Sequence, residues 1–256
     1  MESYSEVFSL GGKTVVVTGG AGLLGKEMAR GLGDFGATVV VADVNLEAVR
    51  QIANSIGRKA KAERLNVTSE DSIKELIKKY ERIDVWINSA YPRTSDWGHK
   101  LEQVKIESWR HNVDMQLNSC FFCCRQVADK MKVQKSGSII NFGSIYGIVG
   151  PYFPIYEGTD MTTPAAYAAI KGGIINLTRY LATYLAPYNV RVNCISPGGV
   201  FDHQPETFVQ AYNKRTPLGR MAAPGEIVGT AIYLASEASS YVTGQNLLVD
   251  GGWTAW

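Results

Sequence analysis

Short β-branched runs alternate with longer segments of helical periodicity along the whole chain, and this alternation narrows the possible folds more than any other feature. The runs are TVVVT (14–18), TVVVA (38–42), IDVWI (83–87), SIINF (138–142), VRVNCI (190–195) and LLV (247–249), with KAERLN (61–66) a weaker candidate. Strands that are apolar almost continuously are buried on both faces, and helices between them supply the crossovers a parallel sheet needs. The fold expected is α/β: a doubly wound parallel sheet with helices on both faces. No internal repeat, linker or low-complexity tract interrupts it, so one domain is expected over residues 1–256.

Two helical segments carry more information than the rest. In 108–134, Val113, Leu117, Cys120, Phe121, Cys124, Val127 and Met131 recur at helical spacing and predict one continuous helix with a buried stripe. The segment 164–186 opens with Pro164, suited to a first turn. Its adjacent Gly172 and Gly173 lower helix propensity and predict close packing against another backbone. The clustered Cys120, Cys123 and Cys124 read as buried thiols rather than metal ligands, because His99, His111 and His203 are scattered and no second ligand cluster exists.

Charge excludes some partners. Lys plus Arg is 26 and Asp plus Glu is 24, which gives no electrostatic case for nucleic acid or an anionic membrane. No apolar run approaches the ~20 residues that span a bilayer. The segment MESYSEVFSLGGKT lacks the basic and apolar regions of a secretory leader, so a cytoplasmic location is expected.

The first strand runs into TGGAGLLG (18–25), and a helical segment follows at once. Glycines there permit a tight turn and let backbone N–H groups approach a pyrophosphate, while the helix N-terminus adds partial positive charge. Gly20, Gly22 and Gly25, placed between a strand and a helix, therefore predict dinucleotide binding. Asp43 ends the second strand, 18 residues after Gly25. A carboxylate there accepts hydrogen bonds from ribose hydroxyls and repels a 2′-phosphate, which predicts NAD rather than NADP as cofactor.

Tyr167 and Lys171 stand four apart in AAYAAIKGG and share one helix face. A phenol with the ordinary pKa near 10 is a poor base at neutral pH. A neighbouring ammonium stabilises the phenolate, and the pair becomes a general acid/base for an alcohol or ketone. Ser144 ends the strand SIINFGS, and open parallel sheets bind ligands at the carboxyl ends of their strands.

Taken together, TGGAGLLG, Asp43, INSA (87–90), SIINFGS, the Tyr167–Lys171 pair, VRVNCISPGG (190–199) and YVTGQNLLVDGGW (241–253) resemble the short-chain dehydrogenase/reductase family, over nearly the whole chain. The resemblance implies a Rossmann-like sheet and hydride transfer between a nicotinamide and an alcohol or carbonyl carbon. It implies that Tyr167 is the acid/base, that Lys171 lowers its pKa and holds the nicotinamide ribose, and that Ser144 hydrogen-bonds the reacting oxygen. By the same carry-over the cofactor meets Gly19, Gly20, Gly22, Leu23, Leu24, Gly25, Asp43, Asn66, Val67, Asn88, Ser89, Ala90, Tyr167, Lys171, Pro197, Gly198 and Val200. A homo-oligomer, tetramer or dimer, built on segments 108–134 and 164–186 is also implied.

Several positions depart from the family pattern. Leu23 stands where the middle glycine is usual, with Gly22 beside it. The helix amide of the family falls on Gln116, with Asn118 as the other candidate, and only one of the two can face the site. Tyr91 replaces a glycine and is followed by Arg93, while Asp202 replaces a nicotinamide-contacting Thr. The interval from Ser144 to Tyr167 is 23 residues, longer than usual, and holds PYFPIYEGTDMTTP (151–164). This insertion predicts a polar lid over the substrate pocket, with Tyr156 and Glu157 as contacts. Arg93, His203, Lys214 and Arg215 are cationic candidates for an anionic group. The substrate expected is a small molecule, a sugar or sugar phosphate. SIYGIVGPYFPIYEGT with SPGGVFDHQ also resembles dehydrogenases of bacterial flagellin and surface-sugar modification. The alternatives are a 3-oxoacyl thioester reductase, which Asp43 and the insertion argue against, and a non-catalytic dinucleotide sensor, which the retained Ser144, Tyr167 and Lys171 argue against.

Overall fold

Valines and isoleucines occupy successive positions of the central strands because both faces of the sheet are covered. A computed structural model of the chain describes residues 4–256. The first three residues of the segment read for a leader lie outside them. The strands are β1 (Thr14–Thr18), β2 (Thr38–Asp43), β3 (Ala60–Arg64), β4 (Val85–Asn88), β5 (Gly137–Phe142), β6 (Val190–Pro197) and β7 (Asn246–Val249). They form one sheet in the order β3-β2-β1-β4-β5-β6-β7, and every pairing is parallel. The strand order reverses direction between β1 and β4, which opens a crevice at their carboxyl ends. The doubly wound, Rossmann-like sheet read from the sequence is the fold observed, and KAERLN contributes β3.

The helices are α1 (Leu23–Asp34), α2 (Leu46–Ile56), α3 (Glu70–Lys78), α4 (Ile106–Val113), α5 (Ser119–Gln134), α6 (Ala165–Leu185), α7 (Glu206–Arg215) and α8 (Val228–Ala235). Strand pleating divides the apolar side chains between two layers. Val16, Val40, Trp86, Ile139 and Val192 face α3, α5 and α6, and Cys120, Cys123, Cys124 and Cys194 lie in that layer as free, buried thiols. Val15, Val17, Val39, Val41, Ile87, Ile140 and Ile195 face the opposite layer, which α1, α2 and α8 complete.

The continuous helix expected over 108–134 is instead α4 and α5 joined by a turn of π-helix, Asp114–Asn118. Asn112, Gln116, Ser119 and Cys120 are all turned inward through this wider turn. Pro164 caps α6 from just outside it, with extended backbone. The close backbone approach expected at Gly172 is present, but its tightest point is Gly147, in the short turn after β5. A Cβ at Gly147 would stand 2.7 Å from the carbonyl carbon of Lys171 and 2.8 Å from the nitrogen of Gly172.

Backbone cannot yield there as a side chain can. Gly147→Ala is therefore expected to destabilise the protein by about 1–3 kcal/mol. Gly150→Ala, where a Cβ meets nothing within 4 Å, should be nearly neutral. Urea unfolding of the two variants beside the parent checks this.

Candidate active site

The loop between β1 and α1 is shaped by contacts that exclude side chains. Gly19 has φ +66°, and a Cβ on it would lie 2.6 Å from the Ala90 Cα. A Cβ on Gly25 would collide with the Gly19 carbonyl oxygen. Gly22 is the N-cap of α1; no side chain caps it and the first turn carries no acidic residue. The positive end of the helix thus faces the crevice free of any competing carboxylate of its own first turn. Thr18, fully buried at the end of β1, ties this loop to the next strand. Its hydroxyl donates to the Ile87 carbonyl (3.2 Å) and accepts from the amides of Ser89 (3.2 Å) and Ala90 (3.3 Å). Nothing in the sequence pattern distinguished Thr18 from an ordinary strand residue.

The crevice is a cleft of about 790 Å³. One end is lined by Gly19, Gly22, Leu23, Leu24, Gly25, Asp43, Asn66 and Val67, and its middle by Ser89, Ala90, Pro197, Gly198 and Val200. Asp43 sits at the end of β2, where its two carboxylate oxygens accept from the amides of Ala21 (3.2 Å) and Asn45 (3.1 Å). The Asn66 side chain accepts from the amide and hydroxyl of Thr68, which closes the turn after β3.

Tyr167 and Lys171 line the same cleft from the first turns of α6. The Lys171 ammonium is buried and donates to the Phe142 carbonyl at 2.8 Å, at the end of β5. Its loss of hydration pulls its pKa below the ordinary lysine value, against the thiols of Cys194 and Cys120, which act the other way. Tyr167 does not show the lowered pKa expected from its neighbour. Burial pushes the phenol above its ordinary value, a hydrogen bond with Ser144 pulls it down, and the nearby Tyr156 raises it further. The ammonium lies 5.6 Å from the ring centroid and is engaged elsewhere, so desolvation wins. Ser144 is buried beside them and its hydroxyl accepts from the Tyr146 amide at 3.2 Å.

Behind Lys171 lies a small cavity of about 20 Å³, lined by Asn88, Gln116, Ser119, Cys120 and Lys171 among others. Gln116 is buried, and neither its amide nitrogen nor its oxygen has a hydrogen-bond partner. Asn118 is exposed and donates to Asp114 at 2.9 Å. Of the two amides, Gln116 is the one aimed at the site.

Other expected contacts lie elsewhere. Asn88 is not on the cleft wall. The pleat turns its side chain toward the α5 layer, where it donates to Asn141 (2.8 Å) and Cys124 (3.2 Å) and accepts from the Trp86 indole (2.7 Å). Gly20 lies beneath the loop, its amide on the Ala42 carbonyl at 3.0 Å. The insertion is not a polar lid. Ile155 and Tyr156 pack into a satellite core with Tyr146, Phe208, Tyr212 and Trp253. The Tyr156 hydroxyl bonds Tyr146 and Thr163, the Thr159 hydroxyl bonds the Tyr156 carbonyl, and Glu157 points to solvent. His203, with φ +57°, is turned out, its ring tilted against that of Phe201. The Arg215 guanidinium lies over Tyr152 and Trp253 and donates to the Trp256 carbonyl at 3.2 Å. Arg93 alone of the four cationic candidates lines the cleft, joined there by Tyr91, Asp202 and Gln204.

Comparison with known proteins matches this geometry to a family. A family model described as enoyl-(acyl carrier protein) reductase matches residues 20–254. The flagellin post-translational modification protein A of Campylobacter coli is 32% identical over 250 residues, covering 94% of this chain and 98% of that one. A 3-oxoacyl-(acyl carrier protein) reductase of Thermotoga maritima is 36% identical over 254 residues, covering 95% and 98%. A crystal structure of gluconate 5-dehydrogenase from Burkholderia cenocepacia, in complex with NADP and tartrate, superposes with a TM-score of 0.87 at 29% identity, covering 98% of each chain. The chain belongs to the short-chain dehydrogenase/reductase family of oxidoreductases. Among the described residues, no helix is long and apolar enough to cross a membrane, and no group of His, Cys, Asp and Glu is arranged to hold a metal ion.

Thr18→Val keeps the shape of β1 but leaves the Ser89 and Ala90 amides without their acceptor. The expected cost is about 1–3 kcal/mol of stability in urea unfolding. Dinucleotide affinity should also fall, because Ser89 and Ala90 line the middle of the cleft; titration calorimetry reads that loss.

Proposed function

We propose that the protein interconverts a secondary alcohol and a ketone with a nicotinamide dinucleotide, that NAD(H) is preferred, and that the substrate is a sugar or a sugar derivative carrying an anionic group. The observation that carries this reading is the convergence of Ser144, Tyr167 and Lys171 on a cleft whose far end is the glycine loop and Asp43. The residues fit such a cofactor. A side chain at Gly19 or Gly25 would fill the cradle, and the uncapped start of α1 suits a pyrophosphate. When bound, the nicotinamide supplies or accepts the hydride at the substrate carbon.

The chain's own residues handle the proton. Ser144 holds the reacting oxygen by a hydrogen bond, and Tyr167 gives that oxygen its proton in reduction and takes it back in oxidation. Lys171, held on the Phe142 carbonyl, would hold the ribose of the cofactor, and Gln116 would hold a water behind it. A cavity of about 20 Å³ has room for one. Tyr167→Phe is expected to abolish turnover while leaving NADH binding intact, as read by cofactor fluorescence. Turnover at the parent rate would sink the mechanism.

Asp43 supports NAD(H). Its carboxylate lines the adenosine end of the cleft, where a 2′-phosphate would meet like charge. Asp43→Asn removes the charge and keeps one acceptor. The expected outcome is stronger NADPH binding and weaker NADH binding; unchanged relative affinities would remove the basis for the preference.

For the substrate, the support is Arg93, Asp202 and Gln204 at the cleft mouth, together with a relative named for flagellin modification and a neighbour named for gluconate oxidation. The second reading, a 3-oxoacyl thioester reductase, rests on the Thermotoga relative. NADH formation from NAD⁺ with sugars, sugar acids and sugar phosphates separates the two from NADPH-dependent reduction of an acetoacetyl thioester. We also infer a homo-oligomer, dimer or tetramer, because α5 and α6 present Phe121, Tyr180 and Tyr184 to solvent. The four buried, free thiols favour a reducing, cytoplasmic setting.

A further inference from the structure

Tyr91 occupies a position at which the family resemblance leads one to expect glycine, and its ring has a defined place. It meets the Tyr167 ring edge-on, with centroids 5.9 Å apart and planes at 80°. The Trp97 ring meets both: 5.9 Å from Tyr91 at 81°, and 6.3 Å from Tyr167 at 77°. These are the edge-to-face arrangements that aromatic quadrupoles favour. The triangle is fastened at one corner, where the Trp97 indole N–H donates to the Tyr91 hydroxyl at 2.8 Å. Lys171 completes it, its ammonium 5.6 Å from the centroid of Tyr91 and 5.6 Å from that of Tyr167.

We propose that Tyr91, held by Trp97, is a positioning residue: its ring fixes the orientation of the Tyr167 ring and keeps water from the side of the phenol that it covers. The proposal rests on the reading of Tyr167 as the acid/base. Tyr91 does not itself exchange a proton. Burial and the neighbouring Tyr167 phenol hold it well above the ordinary tyrosine value, against smaller opposite effects from Trp97 and Arg93. A neutral ring beside the phenol adds bulk and excludes solvent, and solvent exclusion is the largest cause of the raised Tyr167 pKa. The other groups that bear on Tyr167 are Lys171 on α6, Tyr156 of the insertion and Tyr212 of α7, and the Ser144 hydroxyl after β5. None of them hydrogen-bonds to Tyr91, and the one that touches its ring, Lys171, is anchored on the Phe142 carbonyl.

The test needs no substrate. Full-length protein is labelled with [13Cζ]tyrosine, and the Tyr167 resonance is assigned by its loss in Tyr167→Phe. In Tyr91→Ala, water reaches the phenol, and the Tyr167 midpoint falls by about half a pH unit or more relative to the parent. In Tyr91→Phe the ring wall remains and the midpoint stays. A second readout at neutral pH uses ring-labelled tyrosine. Tyr167 ring flips are expected to quicken by about tenfold or more in Tyr91→Ala, as a packed ring is released, and to remain slow in Tyr91→Phe. A Tyr167 midpoint and flip rate in Tyr91→Ala equal to the parent's, or changes of the same size in Tyr91→Phe, would overturn the proposal. Failure of the acid/base reading has a separate signature: turnover that survives Tyr167→Phe, whatever the titrations give.

Discussion

The site depends on α6 lying backbone against backbone on the turn that follows β5. Gly147 permits the contact, because any side chain there would strike the Lys171–Gly172 peptide. The bond from Lys171 to the Phe142 carbonyl then locks the register of helix against strand. Ser144 lies on the turn and Tyr167 one helical turn before Lys171, so a shift of α6 along β5 would separate all three side chains together. Their alignment is a property of the packing, not of any single side chain.

The same strand ends place the cofactor half of the cleft. Parallel strands with right-handed crossovers put every loop of one kind at the carboxyl edge. The reversal of strand order between β1 and β4 leaves a gap there that no crossover fills. Thr18 sits at that gap, and its side chain ties the start of the glycine loop to the end of β4 and the two residues after it. The glycines can then be as close to Ala90 as they are, since the amides that would otherwise need water there are already satisfied.

Features tied to one short stretch of chain were legible in the sequence. A strand running into glycines and then a helix, and a Tyr and a Lys four apart, carry their geometry with them. What depends on distant partners was not. Asn88 looked like a cleft residue by motif, yet which face of β4 it takes is decided by pleating against Asn141 on β5. The insertion read as polar because it is counted by side-chain type; in the fold its hydroxyls are used on one another, and Ile155 and Tyr156 find an apolar partner in α7. The positive charge of Arg215 is likewise spent on aromatic faces contributed from 152 and 253. The π-turn at Asp114–Asn118 has no periodic signature of its own; through it Gln116 points inward and Asn118 outward.

Desolvation outweighs charge at the Tyr167 phenol. An ammonium 5.6 Å from the ring, already donating to a carbonyl, stabilises a phenolate less than burial penalises it, and the phenol therefore stays protonated at neutral pH. If Tyr167 is the acid/base proposed above, such a site is set to give a proton rather than to take one until positive charge enters beside it. On the proposed reading an oxidised nicotinamide would bring that charge and a reduced one would not, so the proton affinity of Tyr167 would follow the state of the cofactor. The proposed role of Tyr91 would strengthen this dependence, because the drier the phenol, the less solvent screens it from whatever charge arrives.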